Sequence, residues 1–139
     1  LPTGVIADVA GTPFDFRQPK PLGQDITADS QQLRNCNGYD HNYALKNDGR
    51  PQIVARLSSP VTGIVMEETT DLPGVQLYSG NFVDAPNGKR PYGFRSGVCL
   101  EGQFFPNAMA VEEFQKPILR KGDEYRHVIR YQFKTNKNA

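Results

Sequence analysis

The sequence predicts an all-β protein built on antiparallel sheet, of the sandwich or barrel kind, and three observations carry that prediction. Short runs rich in β-branched and aromatic residues recur at close intervals from His41 onward. Glycine and proline, 13 and 11 in number, stand between these runs, where they turn the chain and interrupt helices. Only "AMAVEEFQKPIL", at residues 108–119, has a helical look, and Pro117 and its brevity hold it to a turn or two.

Taken in order, residues 1–37 are rich in Pro, Gly, Asp and Gln, and only "GVIADV" and "FDF" alternate like strands. That segment reads as an extended, turn-filled connection. Strand-forming runs follow at "HNYAL", "QIVARLSS", "TGIVMEETT", "VQLYSGNF", "GVCLEGQFF" and "YRHVIRYQFK". "APNGKRP" supplies an Asn-Gly turn at Asn87-Gly88, and "RKGDEY" supplies another before the last run. At 139 residues the chain suits one domain, and no repeat, low-complexity block or linker divides it, so 1–139 is read as a single domain without internal boundary, or part of one.

Charge excludes some partners. With 16 Lys and Arg against 15 Asp and Glu, scattered along the chain, the net charge is +1, and no basic patch marks nucleic acid or an anionic membrane as a target. No apolar run approaches membrane-spanning length. Cys36 and Cys99 read as ordinary thiols, with no spacing that suits a metal. Asn-x-Ser/Thr is absent, so no glycosylation acceptor argues for secretion, and the chain begins at Leu1 without Met or a targeting segment, so its start looks cut. Cytoplasm is the default location, with secretion and the periplasm left open.

One carboxylate stands out. In "GVCLEGQFFP", period two sends Val98, Leu100 and Phe104 to one face and Cys99, Glu101 and Gln103 to the other. An unpaired buried carboxylate is costly, so the face with Glu101 should open onto water, a partner or a ligand. On alternation alone, the solvated side of a half-buried strand is the favoured reading.

Longer motifs go further. "NGYDHNYAL" (Asn37 to Leu45), "LPGVQLYSGNF" (Leu72 to Phe82) and "SGVCLEGQFFPNA" (Ser96 to Ala108), in this order, resemble the aldose 1-epimerases, the galactose mutarotases. "LPTGVIADVAGTPFDFR" and "PILRKGDEYRHVIRYQF" resemble the flanking segments of that family, so the resemblance covers essentially the whole chain. It implies an antiparallel β-supersandwich of the galactose mutarotase type, present here as its C-terminal portion and amounting to less than half of a family chain. A sheet ended there exposes strand edges and a wet apolar face. A companion is therefore expected: a complementary N-terminal polypeptide, or identical chains covering one another.

The resemblance also implies chemistry. Interconverting anomers of a free hexose takes a base for the anomeric hydroxyl and an acid for the ring oxygen, with no metal or organic cofactor. Glu101, in the "CLE" motif, matches the family's base, and partial burial should raise its pKa while neighbouring donors oppose that shift. Asp40 matches the position whose carboxylate holds sugar hydroxyls, and Gln76 corresponds to a polar residue at the sugar site. Asn81 and Gln103 are further binding candidates, each equally able to satisfy a neighbouring backbone group. His41 should face away from the side that Asp40 serves, and His127 reads as structural or surface-lying. The family's general-acid His belongs to the half not represented here. Gly102 stands where many relatives have Thr, and "FPN" where "FPD" is frequent.

Two other functions compete with epimerisation. A noncatalytic carbohydrate-binding fragment would keep the cleft without turnover, though it would not require a base. A hexose-phosphate epimerase would need Arg or Lys clamps for a dianion, which the "GYDHNY" signature does not suggest. Size-exclusion chromatography with mass spectrometry checks the expected companion: a second polypeptide or a multiple of this chain should appear, and a lone monomer contradicts it.

Overall fold

The computed structural model describes residues 2–135. Six strands dominate them: β1 (Asp40–Ala44), β2 (Gln52–Ser58), β3 (Ile64–Thr70), β4 (Gly74–Tyr78), β5 (Cys99–Gln103) and β6 (Ile129–Thr135). Each overlaps a run read from the sequence as a strand, with Asp40, Gly74 and Thr135 each lying one residue beyond its run. They form two three-stranded sheets, ordered β1-β4-β5 and β2-β3-β6. The antiparallel all-β class expected from the sequence is the one observed.

The described residues gather into two compact units. One comprises Asn42–Gln76 and the chain from Leu100 onward, with the short stretch before Val5; the other comprises Val5–His41 and Leu77–Cys99. The boundaries fall inside β1, β4 and β5.

In the first unit, β3 is the central strand of its sheet. It pairs antiparallel with β2, from Gln52 opposite Thr70 to Ser58 opposite Val65, with a register shift between Ile53 and Ala55. It pairs antiparallel with β6 from Ile64 opposite Thr135 to Thr70 opposite Ile129. Val65 is buried, as are Glu67, Glu68, Thr69 and Thr70, so both faces of β3 are covered. β6 lies at the sheet edge with all seven residues exposed, Phe133 by 67 %. The Tyr131 hydroxyl donates to the Leu100 carbonyl at 2.7 Å and so ties β6 to β5.

Tyr39 organises the second unit. Its side chain is fully buried, flanked edge-to-face by Phe14 and Phe16 at centroid distances of 5.9 and 5.2 Å, and its hydroxyl donates to the Pro13 carbonyl at 3.0 Å. Burial, with the charge of Asp25 acting in the same direction, pushes its phenol up to about 12. The expected alternation of "FDF" is thus put to a different use: Phe14 and Phe16 lie outside any strand and serve as packing for Tyr39. "GVIADV" is likewise not a strand, and Val5 and Ile6 are exposed.

Two further expectations need correction. Residues 31–36, read as part of a turn-filled connection, form a short helix, α1 (Gln31–Cys36), which buries Leu33. It ends where Asn37 adopts φ 59° and the Gly38 N–H donates back to the Leu33 carbonyl at 3.0 Å. Conversely, "AMAVEEFQKPIL" contains no helix. It runs as successive turns closed by the Lys116 ammonium, which donates to the carbonyls of Ala108 and Val111. The Asn87-Gly88 turn is present inside an isolated bridge between Ala85 and Tyr92, and Gly122 at φ 96° makes the turn before the last strand.

Gly38 has φ 139°, and a Cβ there would lie 2.5 Å from Asn81 Oδ1 and 3.0 Å from Ser79 Oγ. Gly38→Ala is therefore expected to destabilise the protein by about 1–3 kcal/mol. Urea unfolding checks this: an unchanged midpoint would show that the tight contact is not required.

Candidate functional site

β5 presents Glu101 and Gln103 on the same side of the strand, two residues apart. Glu101 is exposed, so the partial burial expected for it is absent. The reason lies in alternation: Gly102 turns toward β3, and Glu101 is thereby directed away from it.

Gln103 is the hub of an amide cluster in the first unit. Its Nε2 donates to Asn42 Oδ1 at 3.1 Å and to Gln76 Oε1 at 3.2 Å, which occupies both N–H bonds of one amide. β1, β4 and β5 thus each place one amide in the cluster. Gly74 makes the arrangement possible, because a Cβ on it would stand 2.5 Å from Asn42 Oδ1. Gln76 and Gln103 are therefore brought together, with Glu101 two residues before Gln103 on the same strand. Interlocked amides next to an exposed carboxylate can offer hydroxyl groups both donors and acceptors in fixed directions. Asn42 was not among the residues singled out in the sequence, although it follows Asp40 by two within "GYDHNY".

The second unit holds Asp40, His41 and Asn81. Asp40 opens β1, half-buried, and its N–H donates to the His41 Nδ1 at 3.0 Å. A ring nitrogen that accepts a hydrogen bond is unprotonated, and burial lowers the His41 pKa against the opposing pull of Asp40. The ring also packs against Phe14 at a centroid distance of 4.6 Å, consistent with a structural imidazole. Asn81 is only 3 % exposed. Its Nδ2 donates to the carbonyls of Cys36 and Tyr39 at 2.8 and 2.9 Å, and its Oδ1 accepts from Ser79 Oγ at 2.6 Å. Asn81 is thus committed to the chain itself, the second of the two roles open to it.

His127, in the first unit, lies beside Asp71, Nδ1 to Oδ2 3.3 Å, with Phe104 and Tyr125 edge-on at 5.4 and 4.8 Å. Among the described residues, no group of three or more His, Cys, Asp or Glu side chains could hold a metal ion. No helix among them is long and apolar enough to cross a membrane.

Residues 1–132 match the family model described as aldose 1-epimerase. The chain belongs to the aldose 1-epimerase family. Galactose mutarotase of Rattus norvegicus is 40% identical over 136 residues, a match covering 96% of this chain and 38% of the rat protein. Aldose 1-epimerase of Escherichia coli K12 is 36% identical over 139 residues, covering 96% of this chain and 40% of the bacterial one. The crystal structure of an aldose epimerase homologue from C. elegans superposes with a TM-score of 0.81 at 30% identity, again over 96% of this chain and 40% of that one. The chain thus spans about two fifths of the length of these relatives. The family fold anticipated from the "GYDHNY", "PGVQLYSGNF" and "CLEGQ" motifs is the one the solved homologue displays.

Two outcomes follow from this geometry. Gly74→Ala should push the Asn42 amide out of the cluster, which NMR reads as shifted side-chain amide signals of Asn42 and Gln103; unmoved signals would refute the close fit. For His41 the folded pKa lies below the unfolded value of about 6.5, so its contribution to stability is intact above that pH and is lost as pH falls below it. Urea midpoints measured between pH 7.5 and 5 should therefore fall more steeply for the wild type than for His41→Gln, and parallel curves would oppose this account.

Proposed function

We propose that this chain supplies the base-bearing part of an aldose 1-epimerase acting on free hexoses such as galactose or glucose. The observation that carries the reading is the exposed Glu101 carboxylate on β5, next to the Gln103–Asn42–Gln76 amide cluster. Glu101 takes the proton of the anomeric hydroxyl at about 2.6–3.2 Å. As the ring oxygen gains a proton, the C1–O5 bond opens to an aldehyde, which rotates about C1–C2 and recloses on its other face. Gln76 holds sugar hydroxyls, and Gln103 fixes the amides around it. Binding the ring at several hydroxyls sets the anomeric centre against the base and removes the entropy cost of finding it.

Within this proposal the proton for the ring oxygen comes from elsewhere. His41 uses Nδ1 as an acceptor for the Asp40 N–H, and His127 lies against Asp71 between two aromatic rings. We assign the acid to the portion of the family fold that the relatives have and this chain does not span. A companion polypeptide, or a second copy of this chain, covers the apolar side chains left exposed on β6. The engagement of both imidazoles also favours a second reading for the chain by itself, a carbohydrate-binding fragment without turnover.

Polarimetry on freshly dissolved α-D-galactose or α-D-glucose, with chain and complement together, tests the proposal. Glu101→Gln should slow mutarotation by about 10²–10⁴-fold. An undiminished rate in the variant sinks the assignment of the base, and sugar binding without any acceleration by the wild type leaves the binding fragment.

A further inference from the structure

The amide cluster of the first unit has a polarity. A carboxamide nitrogen carries two N–H bonds, and Gln103 Nε2 spends one on Asn42 Oδ1 at 3.1 Å and the other on Gln76 Oε1 at 3.2 Å. The amide oxygens of Asn42 and Gln76 therefore face Gln103. For Asn42 this orientation is fixed a second time by packing. Its carboxamide fills the space that a side chain on residue 74 would need, with Oδ1 2.5 Å and Nδ2 2.9 Å from where a Cβ on Gly74 would stand. Among the described residues, the bond from Gln103 is the one hydrogen bond of the Asn42 side chain, so Nδ2, turned away from Gln103, keeps its N–H bonds for a ligand. The residue is half-buried, as are Gln76 and Gln103, whereas Val75, the neighbour of Gln76 on β4, turns into the core.

Asn42 also stands at a distance from the base. The order β1-β4-β5 puts it two strands from Glu101, about 9–10 Å across the sheet. With the anomeric hydroxyl at Glu101, a hexopyranose laid across the three strands brings the opposite side of its ring to β1. We propose that Asn42 is a specificity-determining residue of the sugar site: its Nδ2 donates to the oxygen of a hydroxyl remote from the anomeric carbon, at C3, C4 or C6, and Gln103 is the positioning residue that sets the direction of that bond. This assignment rests on the reading of this face as the sugar site with Glu101 at its anomeric end. A sugar lacking that hydroxyl leaves a fixed donor unpaired, which is how a site rejects an analogue with one polar group fewer.

Isothermal titration calorimetry on chain and complement together tests the polarity, with D-galactose or D-glucose and their monodeoxy and deoxyfluoro analogues at C2, C3, C4 and C6. Fluorine accepts a hydrogen bond weakly and donates none. At one of C3, C4 or C6, the wild type should bind the deoxy analogue about 3–10-fold more weakly than the parent sugar, with the fluoro analogue between them. Asn42→Asp keeps an oxygen for Gln103 and exchanges the outward donor for an acceptor. At that same position the fluoro analogue should then become the weakest of the three. Gln103→Glu probes the polarity without altering Asn42, and serves if Asn42→Asp does not fold. Its carboxylate accepts from the Asn42 amide, which turns over and presents Oδ1 to the sugar, so the same reversal is expected.

A ranking that neither variant changes, or a reversal confined to C2, overturns the proposal, as does a wild type that binds none of these sugars. A purely structural Asn42 would weaken all the sugars alike and leave their order intact. Binding is read at equilibrium, so the ranking can be repeated in Glu101→Gln, where it should persist. A failed base assignment then shows in polarimetry alone, and a failed Asn42 assignment in the ranking alone.

Discussion

With β2 on one edge and β6 on the other, β3 has little water to offer its polar side chains, so each must be answered by protein. Thr70 answers locally, its hydroxyl accepting from the Leu72 N–H at 3.1 Å. Glu67 is answered by Lys134 and Arg56, cations on the strands to either side. Glu68 is answered only by proximity to the Gly102 amide, and burial raises its pKa. That arrangement requires β5 to come close at residue 102, and close approach is available only to a strand without a side chain there. Alternation then sends Glu101 and Gln103 the other way, which places them where the amide cluster forms.

The strands were legible because their signal is repeated: each run carries several alternating residues between turn formers, and a single exception does not erase the pattern. α1 was not, since six residues of mixed polarity give no periodicity, and its one clear cue is the Asn37-Gly38 stop. The turn or two of helix that residues 108–119 could suggest is absent for the opposite reason. "AMAVEEF" has good helix formers, but Lys116 closes the turns by binding Ala108 and Val111 carbonyls, a contact that propensity cannot anticipate.

Among the candidate site residues, Gln76 and Gln103 were singled out from their motifs, whereas the bond between them was not legible. Asn42 could have been found by counting two residues from Asp40 along a strand, but an amide in a motif led by an acid attracts less notice. Asn81 shows the limit of reading polarity as function: its amide replaces backbone partners for Cys36 and Tyr39, and only the fold reveals that. Glu67 and Glu68 are the sharpest case. They are identical neighbours in the sequence, and pairing makes one a charged member of an ion cluster and the other a buried acid.

β6 has one more consequence, for how the polypeptide behaves in concentrated solution. Its outer edge offers a row of main-chain groups and the side chains of Ile129, Tyr131 and Phe133, a combination that invites sheet-to-sheet stacking. Arg130 and Lys134 lie on the opposite face of the strand from these three side chains, and Lys134 is held there by Glu67. Crowding thus tends to draw molecules together through the side of β6 that carries no charge.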